Sequence, residues 1–372
     1  MSAVKKRILF AVTIAPTIRI LMDGQIQWLT ERGYEVHTCA SGELESTRTQ
    51  SAFTHAHHVI PMTRKMSPLR DLLSIIRWFQ VVARVRPEIL VASTPKAALV
   101  SLVAAKLLRV PKRIYLLRGL RLETMTGWRR QLLVMSEKLC AACAHVVIAV
   151  SPSVEREFVQ LGLAPANKVC HVGSGSSNGV NSSWFTPLPE SARSVLRSDL
   201  GINKDTVVVA FVGRLVTDKG WDVFCEATRI AQQSNPLIQV VALGSNEEDL
   251  SVPSWIKHVG VSDDMLTWYR AIDVLVLPTF REGFPNVPLE AAACGVPTIA
   301  SRATGAIDSV VDGQTGILVD IQDVGQTADA IMRLASDAHV RVHMGEAARL
   351  RVLKEFQPET IWQGYLDVYN SL

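Results

Sequence analysis

A regular alternation of short apolar runs with amphipathic segments, broken only once, constrains this chain most. "RILFAVT", "EVHTCA", "EILVAS", "KRIYLL" and "HVVIAV" are too short for helices and are largely apolar without strict alternation. Such runs predict parallel strands buried on both faces. Helical patterns fall between and after them, over 20–32, 69–85, 96–108, 129–143 and 152–161. The alternation stops at "GSGSSNGVNSSWFTP", the stretch richest in Gly, Ser and Asn, and then resumes. "VVVAFVG", "IQVVAL", "DVLVLP", "VPTIAS" and "GILVD" form the second set. Two such sets in 372 residues predict an α/β chain of two Rossmann-like parallel-sheet domains, 1–185 and 186–372. In open sheets of this kind ligands bind outside the carboxyl ends of the strands.

Composition narrows the class further. The basic, apolar start resembles a signal peptide, but its apolar run is brief, no A-x-A site follows, and a first strand is the better reading. "AALVSLVAAKLL" is too short to cross a bilayer and contains Lys106. Six scattered cysteines without a secretory signal fit reduced thiols in a cytoplasm. Cys140 and Cys143 in "CAAC" have no second pair or His cluster beside them, so they read as small buried helix residues. Charge is unevenly shared. Residues 1–185 hold 24 Lys and Arg against 11 Asp and Glu, whereas the remainder holds 15 against 24. This asymmetry predicts an anionic partner for the first half. No aromatic residues interleave with the basic ones as nucleic-acid stacking requires, which favours an anionic membrane surface or a phosphate-bearing substrate.

Two stretches of the second half carry chemistry. In "VVVAFVGRLVTDKG" a strand ends at Gly213, Arg214 follows, and Lys219 precedes Gly220 at a helix start. Glycine permits close backbone approach, Arg chelates phosphate oxygens, Lys adds a point charge and a helix N-terminus favours anions, so a diphosphate suits this cradle; taken alone, the stretch reads equally as a strand-turn-helix with solvated basic residues. In "DVLVLPTFREGFPNVPLEAAACG", Glu282 lies in a loop and Glu290 inside the next helix. Carboxylates there accept hydrogen bonds from hydroxyl-rich ligands. Phe284, Asn286 and Val287 can offer backbone N–H groups, while Pro285 and Pro288 have none.

With the closing "GILVD", these motifs make the chain resemble the family 4 glycosyltransferases, retaining enzymes of the GT-B fold, over essentially its whole length. "STPKAALVSLVAAKLLRVPKRIYLLRGLRLE" and "VSPSVEREFVQLGL" are similar to the branch that builds capsular, exopolysaccharide and lipid-linked glycans. The resemblance implies two domains facing a central cleft, with the last helix returning to the first domain. It implies a hexose or N-acetylhexosamine transferred from a nucleotide sugar, UDP-linked by preference, which is a substrate and not a cofactor. Arg214 and Lys219 would hold the diphosphate, Glu290 the ribose hydroxyls and Glu282 those of the sugar. Gly213 and the backbone from Gly283 through Phe284, Pro285 and Asn286 to Val287 would surround the donor, and Val259 and Gly260 would read the base. Front-face attack without a metal is the implied mechanism, in keeping with the lack of a D-x-D triplet.

The first domain would take a lipid-diphosphate-linked or glycan acceptor through the loops after its strands: Thr13 to Arg19, Ser93 to Lys96, and Arg118 to Arg121. The histidine that many relatives place there is missing from "STPKA"; Lys96 either replaces it or is a solvated first-turn lysine. On "PLRDLLSIIRWFQVVARVRP", Arg70, Arg77 and Arg84 share a face beside Leu73, Ile76, Trp78 and Val81. That helix suits an anionic bilayer or else packs on the core as an ordinary amphipathic helix. The basic excess favours the bilayer, hence a cytoplasmic enzyme held peripherally at the inner face of the plasma membrane. A nucleotide-sugar epimerase of the same fold is the alternative reading, and a noncatalytic sugar-nucleotide binding protein a further one. A nicotinamide dehydrogenase needs G-x-G-x-x-G after the first strand, where this chain has "TIAPTIR".

Overall fold

The computed structural model describes residues 6–22, 24–44, 54–62 and 68–372; the side chains of 68–73, including Arg70 and Leu73, lie outside that description. The chain divides into two compact units, Met1–Asn178 with Pro358–Leu372, and Gly179–Gln357. The first unit carries strands β1 (Arg7–Ile14), β2 (Glu35–Ser41), β3 (Ala56–Val59), β4 (Ile89–Ser93), β5 (Lys112–Leu117), β6 (Val146–Ala149) and β7 (Val169–His171), in the order β3-β2-β1-β4-β5-β6-β7. The second carries β8 (Val207–Val212), β9 (Ile238–Leu243), β10 (Ile256–Gly260), β11 (Val274–Leu277), β12 (Thr298–Ser301) and β13 (Gly316–Val319), in the order β10-β9-β8-β11-β12-β13. Every strand pairing is parallel. Each unit is thus an open doubly wound sheet.

Burial on both faces explains the unbroken apolar runs. All six residues of β8 are buried. Val207, Val209 and Phe211 pack with Trp221, Phe224 and Ile331 on one face, while Val208, Ala210 and Val212 pack with Trp268, Tyr269 and Ala291 on the other. Each large apolar side chain so buried contributes about 1.5–3 kcal/mol. In the first unit Leu9, Leu90, Tyr115 and Val147 meet Trp78, Leu102 and Phe158. Cys140 and Cys143 lie in that core as free thiols.

Three sequence expectations need correction. The units part at Asn178/Gly179 and not at 185/186; the helix Pro358–Ser371 belongs to the first unit, as the resemblance implies. Side-chain bonds hold that helix: Trp362 Nε1 donates to Asn178 Oδ1 (2.7 Å), Tyr365 OH to the Ser176 carbonyl (2.7 Å) and Lys112 Nζ to the Tyr369 carbonyl (2.9 Å). The single helix expected over 20–32 is two, Ala15–Leu21 and Gln25–Glu31, parted at left-handed Gly24 (φ 73°). In the helix Pro68–Val85, Trp78, Val82 and Val85 are buried in the core, so the apolar stripe assigned to a bilayer loses Trp78 to packing.

The helix Gly127–Cys143 turns Glu137 inward, where its Oε2 accepts a hydrogen bond from Tyr115 OH at 2.7 Å. Burial pushes this carboxyl up to about 7, against the Tyr115 hydrogen bond that lowers it. Between the ordinary carboxyl range and pH 7 the native state keeps a proton that the unfolded chain has lost, so this contribution to stability falls as pH rises through that window. Glu137→Gln keeps an acceptor for Tyr115 and removes the titration. Thermal melts should show Tm raised by roughly 5 °C near pH 8 and little changed near pH 4.5. An equal shift at both pH values would contradict this account of Glu137.

Candidate active site

The second unit gathers its motif residues at the carboxyl ends of β8 and β11. After β8, Gly213 N–H bonds the Leu243 carbonyl (2.9 Å), and Leu215 N–H bonds the Ser245 carbonyl (2.8 Å), so the chain leaves the sheet beside β9. A short 3-10 turn, Thr217–Lys219, leads through left-handed Gly220 into the helix Trp221–Ser234. A Cβ at Gly220 would lie 2.0 Å from the Pro278 carbonyl oxygen, so only glycine lets this turn reach the end of β11. The two loops are then tied together. Phe280 N–H bonds the Asp218 carbonyl (2.9 Å), Thr279 Oγ1 donates to the same carbonyl (3.2 Å), and Arg281 pairs with the Asp218 carboxylate (2.8 Å).

These ties bring Lys219 and Glu282, 63 residues apart in sequence, into a direct ion pair that is mostly shielded from solvent. Glu282 is held from behind as well: its N–H bonds the Thr304 carbonyl (2.8 Å). Gly305, with φ 79°, lies so close that a Cβ there would be 2.3 Å from the Gly283 oxygen. Arg214 goes elsewhere, pairing with Glu247 at 2.8 Å on an exposed surface. An exposed pair of this kind contributes about 0–1 kcal/mol, so Arg214 can exchange it for another anion at small cost.

Gly283, Phe284 and Pro285 lead into the helix Asn286–Ala293, whose N-cap is Pro285 with no side-chain cap. The N–H groups of its first turn have no partner within the helix, and they favour negative charge. Beside them Asn286 Oδ1 is buried with no hydrogen-bond partner, while Phe284 packs against Phe356 in a tilted pair with ring centroids 5.5 Å apart. Glu290, one turn on, accepts a hydrogen bond from Tyr269 OH at 2.7 Å. Burial raises the pKa of Glu290, and the Tyr269 hydrogen bond partly opposes it. Val259 and Gly260 end the edge strand β10, where the Gly260 carbonyl accepts from Gly244 N–H at 2.8 Å. Sequence reasoning did not find Tyr269, Gly244, Thr304 or Gly305; the "ATG" after β12 was the one local signal for the last two.

In the first unit two of the expected acceptor loops meet. Thr13 N–H donates to Thr94 Oγ1 (3.0 Å), and the two hydroxyls are 2.7 Å apart, joining the ends of β1 and β4. Thr13 to Arg19 is the end of a strand and the start of a helix, not an open loop. Lys96 sits in the first turn of the helix Pro95–Leu107. Arg121 is exposed in the 3-10 turn Arg121–Thr124. Arg118 differs from expectation: its Nε and Nη1 are shut off from solvent with no hydrogen-bond partner, and burial near Tyr365 and Tyr369 lowers its pKa. Arg118 is thus half-buried, whereas Arg121 is exposed. Among the described residues, Glu35, His37 and His55 have donor atoms within 4.8 Å of one another, as a metal ion needs. The Arg7 guanidinium already sits 3.2 Å from Glu35 Oε1, so a resident cation neutralises that carboxylate.

Comparison with known proteins places the chain in a family. Residues 21–175 match the model of a glycosyl transferase 4-like domain, and 206–337 that of glycosyl transferases group 1. The chain is 34% identical to the capsular polysaccharide biosynthesis glycosyltransferase CapM of Staphylococcus aureus, over 98% of this chain and 97% of CapM. Among solved structures it shares its fold with Anabaena HepE in complex with UDP and glucose (TM-score 0.81, 20% identity, 99% of this chain and 100% of that one). It shares it also with the sucrose-phosphate synthase of Thermosynechococcus elongatus (TM-score 0.79, 20% identity, 99% of both chains). With two doubly wound sheets, both family domains and a full-length relative, the chain belongs to the family 4 glycosyltransferases of the GT-B fold and is a transferase enzyme.

Proposed function

We propose that this enzyme moves a hexose or N-acetylhexosamine, with retention, from a UDP-sugar to a lipid-linked or glycan acceptor in cell-envelope polysaccharide synthesis. The observation that carries this reading is the Lys219–Glu282 pair at the carboxyl edge of the second sheet, its acid in the loop that leads into an uncapped helix N-terminus. A cation, a carboxylate and free N–H groups together match the diphosphate, sugar hydroxyls and ester oxygens of one nucleotide sugar. CapM supports the polysaccharide setting, and HepE, solved with UDP and glucose, supports the donor.

In this reading the donor opens the Lys219–Glu282 pair. Lys219 turns to the diphosphate and Arg214 leaves Glu247 to join it, while Glu282 accepts hydrogen bonds from the sugar. Glu290, oriented by Tyr269, takes the ribose hydroxyls, and the base rests against the main chain of Val259 and Gly260. Transfer builds negative charge on the departing diphosphate, which two cations already in place stabilise most in the transition state. The acceptor oxygen attacks from the leaving-group face and its proton passes to a phosphate oxygen, so no protein carboxylate serves as nucleophile. The reading assigns no cofactor. On the first unit Lys96, half-exposed, and Arg121, exposed, are candidates for an anionic acceptor.

Two measurements test it. Arg214→Ala with Lys219→Ala should abolish UDP binding by calorimetry, and each single change should lower turnover on the order of 10²–10³. Unchanged UDP affinity in the double variant would remove both residues from the site. Gly305→Ala should displace the Glu282–Gly283 backbone, whose oxygens lie within 2.6 Å of the added Cβ. Donor affinity should then fall about tenfold or more with the fold retained, and wild-type affinity would show that this loop does not touch the donor.

A further inference from the structure

The helix Gly127–Cys143 has two faces of opposite character. Inward, Glu137, Cys140, Ala141 and Cys143 are buried. Outward, Trp128, Leu132, Met135 and Leu139 stand 66%, 47%, 70% and 47% exposed. Their spacing of four, three and four residues puts all four side chains within an arc of about 60°. Arg129 and Lys138, both exposed, flank this arc on its two sides. The one acid of the helix, Glu137, points the other way, so the outward face carries no negative charge. At the far end Lys106 Nζ donates to the Ala142 carbonyl (3.2 Å), which sets the exposed turn Lys106-Leu107-Leu108-Arg109 beside the helix terminus.

We infer that this face docks the enzyme on an anionic lipid surface, with Trp128, Leu132, Met135 and Leu139 seated among the acyl chains and Arg129 and Lys138 at the headgroups. Four large apolar side chains on one stripe are not the scattered exposed residues of an ordinary surface. Charge selects the occupant. A second copy would bring Arg129 and Lys138 against their own equivalents, whereas an anionic bilayer pairs with both and with the basic excess of residues 1–185. Among the described residues no helix is long and apolar enough to cross a membrane, so the contact lies along the interface. The helix Pro68–Val85, which the sequence favoured for this task, spends Trp78, Val82 and Val85 on the core. The inference rests on the lipid-linked reading of the acceptor for its purpose, but vesicle binding is measured without donor or acceptor, so either can fail alone.

The test is co-sedimentation of the full chain with vesicles of phosphatidylcholine, with and without phosphatidylglycerol, at low and high salt. Wild-type protein should sediment with phosphatidylglycerol vesicles and be released by salt. Leu132→Gln with Met135→Gln should weaken that binding about tenfold or more while Tm and UDP affinity stay unchanged. Arg129→Ala with Lys138→Ala, which leaves the apolar stripe intact, should remove the preference for phosphatidylglycerol and serves should the first variant fold poorly. Wild-type protein that stays in the supernatant, or a folded Leu132/Met135 variant that binds as well as wild type, would overturn the inference. So would a wild-type dimer that this variant dissolves without any loss of vesicle binding.

Discussion

Main chain resting directly on main chain holds the carboxyl edge of the second sheet together. At Gly220 the turn after β8 touches the carbonyl that ends β11, and at Gly305 the loop after β12 touches the carbonyls of Glu282 and Gly283. A side chain at either place would drive the loops apart. Hydrogen bonds from Phe280 to Asp218 and from Glu282 to Thr304 lock the approach. Ser301 Oγ also donates to the Thr279 carbonyl, tying β12 to the same loop. The meeting of Lys219 and Glu282 follows from this backbone contact.

The ion pairs of this edge differ in what they resist. Arg214 and Glu247 are about half exposed, with side-chain exposures of 52% and 47%. Water screens such a pair and it exchanges readily. Lys219 and Glu282, at 23% and 14%, are held closer and neutralise each other in a less polar setting. In the proposed function an incoming donor has to satisfy both ions at once, because freeing one alone leaves the other short of a partner. A nucleotide sugar, anionic at the diphosphate and hydroxyl-rich at the hexose, meets that demand with a single molecule.

Much of the fold was legible because burial on both faces leaves an apolar run that little else explains. The strands missed from sequence, β3 ("AHHV"), β7 ("VCH") and β10 ("IKHVG"), all lie at sheet edges, where one side is open and the pattern turns polar. The E-x7-E spacing and the "GR…K-G" segment marked the candidate site. Its supports were invisible because they are contacts between distant segments: Tyr269 reaches Glu290 from a helix of its own, and Gly305 matters only for what lies above it. For the same reason the last helix could not be assigned firmly from its own pattern; Trp362, Tyr365 and Tyr369 find partners at Asn178, Ser176 and Lys112. Amphipathic periodicity could not separate a core-facing stripe from an exposed one. Trp78 shares a stripe with exposed side chains and yet fills the core, while the Trp128 stripe sat in a helix read only for its buried cysteines.

The proposed function divides one donor between two carboxylates, with Glu290 on the nucleoside end and Glu282 on the sugar end. Calorimetric titration of Glu290→Gln and Glu282→Gln with UDP and with the UDP-sugar substrate tests it most directly. Glu290→Gln should weaken both ligands alike, about tenfold for a lost charge-assisted hydrogen bond, and Glu282→Gln should weaken the UDP-sugar while leaving UDP nearly unchanged. If Glu282→Gln weakened UDP as much as the UDP-sugar, or weakened neither, the assignment of Glu282 to the transferred sugar would be wrong.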